Sequence, residues 1–169
     1  MTKKSLNFGI LIPLALLVIT FSACGGQSEN PASMESRVDT LTKQMAQAYK
    51  PGLGEFMLNL QIHHAKIWFA GKNQNWDLAI FEVGEMKETI EHIKKYCDDR
   101  PEIKSLPILY PDLDSVNYAI SAKNLPQFQK SFVLLTNSCN ICHQSTHYSF
   151  NVIKLPDMPP FTNQDFKAK

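Results

Sequence analysis

Cys139, Cys142 and His143 stand in the run Cys139-Asn140-Ile141-Cys142-His143, a Cys-x-x-Cys-His spacing that is the attachment signature of a covalent c-type haem. The chemistry expected of it is specific. Each thiol adds across a haem vinyl group to give a thioether, and the imidazole binds the iron from the proximal side. With 4 Cys and 5 His in 169 residues, chance supplies such a run about 0.003 times per chain, so one covalent haem c is the expected cofactor. Three other readings stay open: a redox dithiol, half of a zinc site, and a degenerate motif without a cofactor. Zinc wants four N/S ligands, and Cys97, His63, His64, His92 and His147 show no Cys-x-x-Cys or His-x3-His pairing. A thioredoxin-like dithiol expects βαβ alternation, whereas this chain shows helical periods.

The segments that must position these side chains carry apolar stripes at spacings of three and four. Leu53, Met57, Leu60, His64, Ile67 and Gly71 form the first stripe, and Gly71-Lys72-Asn73 ends it. Asn75 then caps a second helix carrying Trp76, Ile80, Val83, Met86, Ile90, Ile93 and Cys97. Residues 98–111 hold Pro101, Pro107 and Pro111 and read as a crossover loop laid partly on the core. A short third helix over Asp112–Lys123 turns Leu113, Val116 and Ile120 inward. The last begins near Leu125-Pro126, and its stripe is Leu125, Phe128, Phe132, Leu135, Cys139, Cys142 and Thr146. Both motif cysteines therefore fall on a buried seam. Short connections between the first and second and the third and fourth segments predict an all-α fold, an antiparallel up-down-up-down four-helix bundle. Residues 37–148 form this domain. A proline-rich tail over 149–169 is expected to lie across it, because Phe150, Val152, Ile153 and Phe161 need cover.

With its Cys-x-x-Cys-His at the end of a fourth helix, the stretch from about residue 52 to 148 resembles the class II cytochromes c, the cytochrome c-prime-like four-helix bundles. The resemblance implies electron transfer by a monohaem protein without enzymatic activity, working with redox partner proteins. In low-spin members a first-helix methionine is the sixth iron ligand, and Met57 matches that position. High-spin members leave iron five-coordinate. Relatives often pair through the first helix, so a homodimer is an expectation carried by resemblance alone, since one core accounts for the apolar residues here. The run His64-Ala65-Lys66-Ile67-Trp68-Phe69-Ala70-Gly71, with Asn75-Trp76 and Glu82, also resembles a lineage of small bacterial periplasmic proteins.

Met57 is the first candidate for the distal iron ligand and His64 the second. Seven residues separate them, about 10 Å along a helix axis, so both cannot face one iron position. Each has a plain alternative: methionine on an inward stripe is usually core filler, and an inward histidine is usually a hydrogen-bonded core residue, here with Glu82 or Glu85 as expected partners. His63 and His92 are expected to face solvent, and His147 to cap the helix end or lie near a haem propionate. Trp68, Phe69, Trp76 and Phe81 are expected to supply packing bulk. Cys97 is assigned no function.

The N-terminus bears on compartment. Lys3 and Lys4 precede an apolar stretch from Leu6 to Ile19, and Phe21-Ser22-Ala23-Cys24 places small residues before a cysteine. That pattern resembles a bacterial lipoprotein signal over residues 1–23 with Cys24 lipidated. Residues 24–36 then read as a lipidated flexible tether, Gln27–Ser36 being polar and without apolar periodicity. Removal of residues 1–23 takes two lysines and no acids, moving the formal charge from +1 to −1. A near-neutral surface excludes nucleic acid as a partner, and membrane attachment falls to the lipid, on the periplasmic side. A five-coordinate gas-binding protein with Leu53 or Leu60 as a steric gate, and a non-haem helical interaction module, are the competing functions.

Overall fold

The computed structural model describes residues 30–46 and 50–168; Cys24, residues 1–23 and the start of the expected tether lie outside them. Two units are distinguished, one ending at Tyr49 and one beginning at Lys50. All regular structure among the described residues is helical. In the first unit, α1 spans Pro31–Ala46. Asn30 caps it, its Oδ1 accepting from the Ala32 amide at 3.2 Å, and Pro31 takes the first helical position, where no amide hydrogen is needed. Residues 31–36 thus differ from the expected flexible tether, because polar composition concealed a capped helix start. Met34, Val38, Leu41 and Met45 recur along α1 at helical spacing, and all four are exposed.

The second unit holds α2 (Leu53–Lys72), α3 (Trp76–Tyr96), a 3-10 segment (Pro101–Leu109), α4 (Tyr110–Ser121) and α5 (Leu125–Ser145). It runs from Lys50 through the tail. α2 packs on α3 and α4 on α5, while α3 also meets α4 and α2 meets α5. The expected stripes account for most of the contact. Ile67, Val83, Ile90, Ile93, Leu113, Val116, Ile120, Phe128, Phe132 and Leu135 are all buried. Ile80 and Phe81 are instead exposed, and Ala79 and Glu82 take the inward positions beside them. Pro111 lies in the first turn of α4, where proline is tolerated, so that helix begins at Tyr110 instead of Asp112.

Three aromatic rings fix the spacing of α2 and α5. Trp68 stacks on Phe132 with centroids 5.0 Å apart, and Phe128 lies 5.8 Å from Phe132. Gly71 is the reason Phe128 fits, since a Cβ built there would overlap the Phe128 ring. Gly71 therefore belongs to the last turn of α2, admitting the ring, rather than ending the helix. The turns after α2, α4 and α5 share one form. Gln74, Lys123 and His147 sit at positive φ, and the amides that follow reach back to Ala70, Ala119 and His143 carbonyls at 2.9, 3.0 and 2.7 Å. These are Schellman caps without glycine.

The crossover is ordered. Leu106 and Leu109 of the 3-10 segment are buried, and the segment packs on α5 and α4. The tail follows α5 back along the unit, held by Asn140, whose amide nitrogen donates to the Ile153 carbonyl and whose amide oxygen accepts from the Ile153 amide, both at 2.8 Å. Further on, Phe166 is buried against Phe69, and Asn75 donates to the Lys167 carbonyl at 3.2 Å. Phe150 and Val152 do not receive the expected cover: they are 81% and 69% exposed. Backbone and Asn140 contacts, rather than apolar burial, hold that part of the tail.

Candidate functional site

Cys139, Cys142 and His143 occupy the last two turns of α5. Positions three and four apart on a helix share a side, and all three residues line one cavity of about 340 Å³. The same cavity is walled by Leu53, Met57 and Leu60 of α2, Ile90 and Ile93 of α3, and Ile103 and Leu106 of the 3-10 segment. Met57 and the α5 motif, distant in sequence, thus line one cavity. The volume lies in the ~300–1,000 Å³ range of small-molecule and cofactor sites.

One tautomer of the neutral His143 ring satisfies its surroundings. Its Nδ1 donates to the Asn151 carbonyl at 2.6 Å, and since a carbonyl can only accept, Nε2 carries the lone pair. A ring held through one nitrogen and open at the other is the arrangement of a metal-ligating histidine. The tail provides that hold, which sequence spacing could not reveal, because Asn151 approaches only after the chain turns at the His147 cap.

The thiols of Cys139, Cys142 and Cys97 are free. Burial pushes the Cys139 thiol up to about 12, with the neighbouring Cys142 adding to the rise, and burial also raises Cys142. Both stay protonated at neutral pH, the reverse of a dithiol redox site, which depends on a lowered pKa. Cys97 is buried at the end of α3, near the Pro51 carbonyl. Among the described residues no three His, Cys, Asp or Glu side chains converge to hold a metal ion.

His64 also lines the cavity and is 3% exposed. Its partner is Thr136, not the expected Glu82 or Glu85. Thr136 commits its hydroxyl hydrogen to the Phe132 carbonyl, so His64 Nε2 donates to Thr136 Oγ1, at 2.9 Å. Burial drops the imidazole pKa to about 4, leaving it neutral. With Nε2 committed, iron would be reached only through Nδ1 or after that bond breaks.

Glu82 serves other residues. It accepts from His63 at 2.7 Å and from Lys66 at 3.1 Å while 1% exposed. Burial works to raise its pKa, but hydrogen bonds from His63 and Lys66 outweigh that and hold the carboxyl below its usual value. His63 is therefore not the solvent-facing residue expected. His92 is part-exposed beside Glu88, and His147 is exposed at its cap. None of Trp68, Phe69, Trp76 and Phe81 lines the cavity. Sequence reasoning missed Arg100, Glu102, Tyr148 and Asn151, which rim it; these lie in connecting segments, where no periodicity marks them. No protein-family model, curated protein or solved structure matches the chain.

Proposed function

We propose that this chain is a monohaem c-type cytochrome, a non-enzymatic electron carrier tethered by lipidated Cys24 to the periplasmic side of a bacterial membrane. The observation that carries the reading is that Cys139, Cys142, His143 and Met57 line one apolar-walled cavity. The donor set fits haem c: two free thiols at attachment spacing, an imidazole with an open Nε2, and a thioether for the sixth position. A bound haem supplies a one-electron iron couple. The chain's own residues do the rest. Asn151 fixes the His143 ring, Cys139 and Cys142 would hold the haem through thioethers, and Ile90, Ile93 and Leu106 would exclude water from it. A redox dithiol would need a lowered thiol pKa, whereas burial raises that of Cys139.

The cyclic packing of α2, α3, α4 and α5, with short turns joining α2 to α3 and α4 to α5, supports an antiparallel up-down-up-down bundle like that of class II cytochromes c. No helix among the described residues is long and apolar enough to cross a membrane; the lipid attachment proposed here rests on the sequence before Cys24. The near-neutral charge argues against nucleic acid and leaves redox proteins as partners.

Optical and magnetic spectra of wild type and Met57→Ala test the ligand set. Wild type is expected to be low-spin and the variant to lose that state; an unchanged spin state would eliminate Met57. The second reading, a five-coordinate gas-binding haem, is favoured by Leu53 and Leu60, which flank Met57 in the cavity wall. Rapid carbon monoxide uptake by the ferrous wild type, with no protein ligand displaced, would select it over electron transfer.

A further inference from the structure

We infer that Arg100, held in place by Glu102 and Tyr148, is the seat for a carboxylate of the cofactor at the rim of the cavity. The inference rests on the haem reading above and assigns a role to residues outside the Cys139–His143 motif. Haem carries two carboxylates on an otherwise apolar ring, and at the edge of an apolar cavity a carboxylate needs a cation, fixed donors or water. Arg100 is the one Lys or Arg among the residues lining the cavity.

Its guanidinium is aimed in advance. Nε and Nη2 donate to the two Glu102 carboxylate oxygens at 3.3 and 2.7 Å, and Nη2 donates to the Tyr148 hydroxyl at 3.3 Å. Tyr148 in turn donates to Glu102 Oε1 at 3.1 Å. Five donors are available to an arginine in a fixed plane, so these bonds leave the Nη1 pair for a second acceptor. Glu102 lines the same cavity and is the group that holds the guanidinium plane, with the Arg100 side chain 44% exposed. Tyr148 is tied to the iron-binding turn, its amide donating to the His143 carbonyl at 2.7 Å. One turn of chain thus carries both the proximal imidazole and a residue that holds Arg100.

The test compares wild type, Arg100→Ala, Arg100→Lys and Glu102→Gln, expressed as full chains with the haem-attachment machinery. Readouts are haem staining on a denaturing gel, the propionate-bending bands of the resonance Raman spectrum, and the midpoint potential. We expect haem staining in all four, because the thioethers do not involve Arg100. In Arg100→Ala the propionate bands shift and the potential falls, since a cation near the porphyrin favours the reduced form. Arg100→Lys gives a smaller shift, and Glu102→Gln leaves the carboxylate contact in place. Should Arg100→Ala fail to accumulate, Arg100→Gln carries the same test. Stained Arg100→Ala or Arg100→Gln protein with wild-type propionate bands overturns the carboxylate seat while the haem reading stands. An unstained wild-type band overturns both.

Discussion

His64 is the residue on which the acid stability of the folded chain should turn. An imidazole 3% exposed and bonded to a hydroxyl gains nothing from charge, and burial drops its pKa to about 4. In the unfolded chain it titrates near 6.5, so between these values the unfolded state binds the extra proton. Stability therefore rises with pH across that interval. The contribution is complete above about 6.5 and lost as pH falls toward 4, amounting to roughly 3 kcal/mol at 1.36 kcal/mol per unit. Urea unfolding of the haem-free chain at several pH values should show that slope, and His64→Gln should flatten it; an equal slope in both would dismiss His64 as its source. Glu82 acts in a lower window. Its depressed pKa means stability present above the ordinary carboxylate value of 4.5 and lost as pH falls through the still lower folded value, so the two residues separate on a pH axis.

At the scale of elements, the approach of α2 to α5 depends on Gly71. Ala at this position would drive a methyl into the Phe128 ring, and overpacking of this kind costs about 1–3 kcal/mol. Gly71→Ala should lose that much in urea unfolding, and Gly71→Ala combined with Phe128→Leu should recover part of it. The glycine-free caps predict an opposite change. Lys123 at φ 51 bears a left-handed strain of about 1–2 kcal/mol, of which glycine would return about 0.5–1 to unfolded-chain entropy. Lys123→Gly should therefore raise stability by roughly 0.5–1 kcal/mol, seen as a higher melting temperature; a drop would show that the cap is unstrained. These elements were unequally legible in the sequence. α2, α3 and α5 were plain because their buried stripes recur every three or four residues. α1 carries the same recurrence in Met34, Val38, Leu41 and Met45, but its polar first turn placed its start in the expected tether. The 3-10 segment was read as loop because three prolines obscure its turns, and nothing in the order of residues could pair His64 with Thr136, 72 positions away.

At the scale of the molecule, a motif, a methionine and a tail come from three places in the chain and meet at one cavity. Cys139, Cys142 and His143 stand out as a candidate site because their spacing alone implies a chemistry. Met57 stands out through its place on the α2 stripe, and it lines the same cavity as the motif. Asn151 and Arg100 were not legible at all, since both act through irregular segments whose path depends on the completed core. The central claim is that Cys139 and Cys142 hold a haem that no denaturant removes. Haem staining after denaturing electrophoresis, on protein made with the attachment machinery, tests it most directly. We predict a stained band in the wild-type chain, at one haem per chain by pyridine haemochrome absorbance, and none in Cys139→Ala/Cys142→Ala; an unstained wild-type band would contradict the account.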